Sequence, residues 1–174
     1  MSGIDTVQLS GAASVEMLVP ALRTARVSLA ASRFCALSGW AVVAEMPLPN
    51  GRRADFLALQ PDGGFVIIEV KSCARDYLAD SKWPEYREYC DRLFFAVDLD
   101  FPQALLPEDA GLLVSEGPDG AGVAVRLRDA PAHPLAPSRR RALLHRFATL
   151  AATRLAALVD PAGLAARRAA LRAE

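Results

Sequence analysis

The pattern of apolar runs predicts an α/β or α+β domain with a mixed central sheet. Three observations carry this: a helical period over about Pro20–Ser38, three strand-like runs separated by glycine turns, and a polar helix that leads into a further strand. Along the first helix, Val27, Ala30, Ala31, Phe34 and Leu37 fall on one face, and Arg23, Arg26 and Arg33 on another stripe. Pro20 suits a first helical turn and Gly39 the position just past the end. The residues before it, 1–14, read as a loose tail.

The strand-like runs are Trp40–Leu48, Arg53–Gln60 and Phe65–Ser72, with Pro49-Asn50-Gly51 and Pro61-Asp62-Gly63-Gly64 as the turns between them. Phe65-Val66-Ile67-Ile68 is apolar on both faces, which predicts a central strand. A polar helix from Tyr77 or Asp80 to Cys90 follows, then a strand at Arg92–Asp98 and a short turn at Phe101–Leu106. Gly111–Ser115 and Val123–Leu127 read as a hairpin around Gly117–Gly122. After the proline-rich connector Ala130–Pro137, a long amphipathic helix starts near Ser138, with Leu143, Leu144, Phe147, Leu150, Ala151, Leu155 and Leu158 on its apolar side. Pro161 interrupts it before a last Ala/Arg-rich helix. The expected organisation is a tail over 1–14, a core domain over 15–130 and a helical extension over 131–174 packed on the same domain.

Composition narrows the function classes. The chain has 174 residues, enough for one ordinary core, and 52% of them are hydrophobic, which excludes a disordered chain. Twenty basic residues balance 20 acidic ones, so a basic nucleic-acid tail is excluded and any nucleic acid must meet a local basic surface. No apolar run is expected to cross a membrane, and Met1–Ser14 has no basic region of the secretory type. Cys35, Cys73 and Cys90 lack paired spacing and read as reduced thiols, so a cytoplasmic location is expected, nucleoid-associated when acting. Among the basic residues only Lys71 and Lys82 are lysine. Lysine, unlike arginine, can lose its proton when buried.

Asp55 lies on the second strand-like run, and Glu69 and Lys71 on the third. Side chains alternate along a strand, so Glu69 and Lys71 share a face. A buried carboxylate needs compensation, from a Lys–Glu pair, a metal ion or a phosphate held through one. A two-residue turn at Asp62–Gly63 would set Asp55 opposite Val70, away from that face. A three-residue loop with a bulge, for which the glycines are suited, would set it opposite Glu69 or Lys71.

Asp, a hairpin, then Glu-x-Lys is the signature of the PD-(D/E)xK nuclease superfamily. Asn50-Gly51-Arg52-Arg53-Ala54-Asp55, Ile68-Glu69-Val70-Lys71-Ser72, Asp80-Ser81-Lys82-Trp83-Pro84-Glu85-Tyr86 and Cys90-Asp91-Arg92-Leu93-Phe94-Phe95-Ala96-Val97 together resemble the bacterial MmcB-like DNA repair proteins. Leu105-Leu106-Pro107-Glu108, Gly111-Leu112 and Leu135-Ala136-Pro137-Ser138-Arg139-Arg140 extend the likeness over most of the chain after about Ala21. The resemblance implies an αβββαβ nuclease-like core with helices flanking the sheet. It implies that Asp55, Glu69 and the Val70 carbonyl hold Mg²⁺ or Mn²⁺, oxygen donors that suit these ions, and that Lys71 orients or deprotonates the attacking water, or offsets charge in the transition state. Lys82 and Tyr86 occupy the place of a Gln-x-x-x-Tyr motif found in some superfamily members, with lysine replacing glutamine.

Many members complete the metal site with an acid on the first helix. Pro20–Ser38 holds no Asp or Glu, so Glu45, or else Glu16, is the candidate substitute. Arg52 and Arg53, beside a glycine turn, together with Lys82 and Tyr86, are candidate DNA contacts. Arg139–Arg141 read as a surface cluster at a helix start, His133 and His145 as surface or packing residues. Asp76, Asp80 and Glu85 read as a solvated helix face. The expected partner is duplex, branched or damaged DNA, with a second copy of the chain or a repair-complex protein left open. Three activities remain in view: a metal-dependent nuclease of DNA repair, a DNA-binding module with weak or no catalysis, and a scaffold whose Glu69–Lys71 pair is structural.

Overall fold

The computed structural model describes residues 10–115 and 122–170. Among them, six strands form one sheet in chain order: β1 (Ala41–Pro47), β2 (Arg53–Leu59), β3 (Phe65–Lys71), β4 (Arg92–Asp98), β5 (Gly111–Ser115) and β6 (Ala124–Arg128). β1, β2 and β3 form an antiparallel meander; β4 and β5 run parallel to β3, and β6 closes antiparallel to β5. The helices are α1 (Ser10–Leu37), α2 (Ala74–Ala79), α3 (Pro137–Val159) and α4 (Pro161–Ala170), with a 3₁₀ helix at Trp83–Tyr89. This is the helix–three strands–helix–strand order of the sequence expectation, in a mixed α/β sandwich.

α1 covers one face of the sheet. Its Val27, Ala30, Ala31 and Cys35 pack on Phe56, Ile68, Phe94 and Leu113. α3 and the 3₁₀ helix cover the other, where Leu143, Phe147, Tyr86 and Tyr89 meet Leu57, Phe65 and Ile67. Burying Leu143 and Phe147 stabilises the docking of α3 by about 1.5–3 kcal/mol each. All seven residues of β3 are buried, so Glu69 and Lys71 are drawn inside with the apolar run that carries them.

Four sequence expectations need correction. α1 starts at Ser10, so residues 10–14 belong to it and Pro20 lies in its interior, not its first turn; residues 1–9 of the expected tail lie outside the described residues. The polar helix is split into α2 and the 3₁₀ helix. Pro84 has no N–H and disfavours the α conformation at Trp83, while the Asp80 carboxylate accepts the Lys82 N–H at 2.9 Å. On α3 only Leu143 and Phe147 are buried; Leu144, Leu155 and Leu158 are exposed, because the apolar stripe is wider than the contact. α3 is also long and apolar enough to cross a membrane by length and composition, because alanine and leucine outweigh its few charges. Here it is docked on the sheet, and Arg154 donates to the Ala44 carbonyl of β1. The turn expected around Gly117–Gly122 lies outside the described residues from 117 to 121.

Asp91 ties the two ends of the domain together. Its carboxylate accepts the Phe65 N–H at 2.7 Å and the Leu135 N–H at 3.0 Å, and it takes Arg140 in a two-pronged pair at 2.8 and 2.6 Å. Arg140 is therefore a structural residue at the start of α3.

Candidate active site

The β2–β3 connection decides the site. Gln60 N–H donates to the Gly64 carbonyl at 2.8 Å and Gly63 N–H to the Gln60 carbonyl at 2.9 Å, which leaves a three-residue loop. Gly63 sits at φ 85°, the left-handed position of a G1 bulge that other residues adopt only under strain. The odd-length connection foreseen from Pro61-Asp62-Gly63-Gly64 is therefore present. Phe56 pairs with Ile68 and Leu57 with Ile67. One residue further, the same register sets Asp55 opposite Glu69, on the face that Lys71 shares.

At that point the ladder opens into a fork. Asp55 N–H donates to Glu69 Oε1 at 3.2 Å, and Val70 N–H donates to Asp55 Oδ2 at 2.8 Å. Each carboxylate thus commits one oxygen to bridging the strands where a backbone carbonyl would ordinarily serve. In an extended strand the N–H and C=O of one residue point to the same side, so the Val70 carbonyl points toward β2 as well. Asp55, Glu69, Val70 and Lys71 line a cleft of about 530 Å³ with Thr24 of α1, Arg53, and Asp76, Asp80, Lys82 and Tyr86 from the segment after β3.

The electrostatics are those of two like charges forced together out of water. Burial pushes the Glu69 carboxyl up to about 8, and the facing Asp55 pushes in the same direction. Asp55 is raised as well, first by burial, against the opposing pull of the Val70 N–H and Lys71. Lys71 is only 5% exposed. Its Nζ lies 2.6 Å from Asp80 Oδ2 but 3.9 Å from Glu69 Oε2. Burial disfavours the ammonium, yet the Asp80 hydrogen bond and the Asp80 and Glu69 charges outweigh it and raise the Lys71 pKa.

Among the described residues no three or more His, Cys, Asp or Glu side chains group to hold a metal. A buried carboxylate (Glu69), a half-buried one (Asp55) and a carbonyl nevertheless fit Mg²⁺ or Mn²⁺, which bind through one or two carboxylates and keep waters and phosphate oxygens in the remaining positions. Glu45 falls opposite Asp55 in the β1–β2 register. Its carboxylate, however, pairs with Arg53 Nε at 2.6 Å, its side chain is half-exposed, and it does not line the cleft. Its backbone sits at φ 51°, a strained left-handed conformation for glutamate, beside the carbonyl that Arg154 grips. Glu16 lies within α1, two helical turns before Thr24, and its side chain lies outside the described residues.

Of the expected DNA contacts, Arg53 and Lys82 line the cleft and are exposed. Tyr86 lines it too, but is buried, with its hydroxyl 3.3 Å from the Arg53 carbonyl. Arg52 does not line it; its guanidinium is held by Glu85 at 2.8 and 3.0 Å. Asp80 and Glu85 are thus paired groups rather than a plain solvated face. Lys82 caps the 3₁₀ helix, so its spacing of four from Tyr86 does not stack the two side chains as it would on an α-helix. Asp80 is the residue that sequence reasoning missed. The signal was there in Lys71, a buried ammonium that had to find an acid on the segment after its strand. A second cleft, about 350 Å³, lies at the ends of β4 and β5, where Arg23 of α1 pairs with Asp98 at 3.6 Å and Asp100 at 3.4 Å.

The family model described as DNA repair protein MmcB-like matches residues 19–162. A solved structure titled "SPO1766 protein of unknown function from Silicibacter pomeroyi" is 45% identical, with a TM-score of 0.72, over 83% of this chain and 94% of that one. No curated protein matches.

Proposed function

The chain belongs to the MmcB-like DNA repair protein family, and from that premise we propose that it is a divalent-cation-dependent nuclease that hydrolyses phosphodiester bonds in DNA. The observation that carries this reading is the fork: half-buried Asp55 and buried Glu69 face each other across the β2–β3 register, with buried Lys71 on their side. A structural ion pair needs one acid and one base. Here buried Glu69 faces a second acid, half-buried Asp55, while the nearby lysine is bonded to a third, Asp80.

Mg²⁺ or Mn²⁺, when bound, supplies charge neutralisation at the phosphate and a water of lowered pKa. Asp55 Oδ1, Glu69 Oε2 and the Val70 carbonyl are the groups to hold it, since the other carboxylate oxygens are spent on the fork. Lys71, at the floor of the cleft, donates hydrogen bonds to the attacking water or to a phosphate oxygen. Arg53 and Lys82 at the rim meet flanking phosphates, which fixes register without reading sequence.

The test is nicking of supercoiled or branched DNA with Mn²⁺. Wild type is expected to nick, and Lys71→Ala to lower the rate by about 10²–10⁴-fold. A second reading, a DNA-binding module on the same fold, is favoured by the Glu45–Arg53 pair, which leaves the fork with two acids. Retention of DNA in a gel shift without nicking supports that module. Neither nicking nor retention leaves a scaffold.

A further inference from the structure

We propose that Asp80 is a positioning residue that holds the Lys71 ammonium off Glu69 and so keeps the Asp55–Glu69 fork open to a divalent cation, an inference that rests on the nuclease reading above. Lys71 Nζ has two carboxylates within reach, and it sits against Asp80 at 2.6 Å and away from Glu69 at 3.9 Å. The lysine stem is flexible and its head is a compact charge, so its position follows its strongest partner.

Asp80 is itself fixed by the backbone, independently of Lys71. Its Oδ1 accepts the Lys82 N–H at 2.9 Å, and its own N–H donates to the Tyr77 carbonyl at 3.1 Å. The break between α2 and the 3₁₀ helix therefore works as a bracket for the carboxylate. Glu69 is equally fixed through Oε1, so with Asp80 neutralised Glu69 Oε2 is the carboxyl oxygen left nearest the ammonium. An ammonium there would occupy the charge that the cation needs.

The chain contains two lysines, Lys71 and Lys82, which makes a direct readout simple. In full-length protein carrying ¹⁵N at the lysine side-chain nitrogens, the Lys82→Arg background leaves Lys71 alone. Its NH₃⁺ group, buried in an ion pair, is expected to exchange slowly and give a resolved signal. Asp80→Asn should shift that signal or broaden it away, and Glu69→Gln should leave it in place. Binding of Mn²⁺ alone, followed by the spin resonance of the free ion, should weaken about ten-fold in Asp80→Asn, within the range for outer-shell partners of metal ligands. That loss should vanish in the Lys71→Ala background. Asp80→Ser, which keeps an acceptor for the Lys82 N–H, serves if Asp80→Asn does not fold.

An NMR signal unchanged in Asp80→Asn, or lost in Glu69→Gln, overturns the proposal. So does a weakening of Mn²⁺ binding that persists without Lys71. Wild-type protein that binds no Mn²⁺ sinks the nuclease reading instead, while the ammonium signal still decides what Asp80 holds.

Discussion

Glu69→Gln is expected to abolish Mn²⁺-dependent nicking and, in the same protein without metal, to raise stability at pH 8. The two effects have one cause. Glu69 is 3% exposed and faces Asp55, so its carboxyl is pushed up to about 8, whereas in the unfolded chain it titrates near ~4.3. Between those values the folded state keeps a proton that the unfolded state has released. Stability is therefore fully present below the unfolded value and is lost as pH rises through about 8. Glutamine can still accept the Asp55 N–H and carries no charge. The variant and the wild type should melt together near pH 4 and diverge toward pH 8, by roughly 2–4 °C for each kcal/mol relieved. Asp55→Asn should move the same way, since Asp55 is also raised by burial. Nicking should fall at least on the order of a hundred-fold, because a direct ligand is lost rather than an outer partner. Melting curves without metal at pH 5 and 8 check the sign. A variant less stable than wild type at pH 8 would mean that the two carboxylates do not oppose each other.

Asp91→Ala is expected to cause the largest loss of stability, about 2–4 kcal/mol from two stranded N–H groups and a part-exposed ion pair, without touching the cleft. The substitution strands the Phe65 and Leu135 N–H groups and leaves Arg140 without its counter-ion. All three sit where the start of β3, the connector and α3 come together. Burial opposes the charged Asp91, but the Arg140 bond and the Leu135 and Phe65 N–H groups outweigh it and hold its pKa below the ordinary range. Its contribution is therefore present above the unfolded aspartate value of ~3.9 and is lost as pH falls below it. Urea unfolding at pH 7 measures the effect. A loss under about 1 kcal/mol, the level of an exposed pair, would show that the Phe65 and Leu135 N–H groups find other partners without Asp91.

The strands and their register were legible because both rest on local rules. The double-faced apolar run of Phe65–Ile68 marks the central strand, and the glycines at 63 and 64 specify the loop that sets Asp55 against Glu69. What was not legible depends on partners chosen across the fold. Lys71 turns to Asp80, Arg52 to Glu85 and Glu45 to Arg53, and in each case the sequence offered more than one acid or base at suitable spacing. The split of the helix after β3 was readable from Pro84, but the bracket it makes for Asp80 was not. The helical period of α3 marked an apolar stripe, yet period alone does not say how much of the stripe another element covers.

On the nuclease reading, two acids from adjacent strands form a seat for a divalent ion. Anomalous diffraction from crystals soaked in Mn²⁺ tests it most directly. A single strong peak is expected within bonding distance of Asp55, Glu69 and the Val70 carbonyl, absent in Glu69→Gln. Well-diffracting soaked crystals with no peak between those two side chains would contradict it.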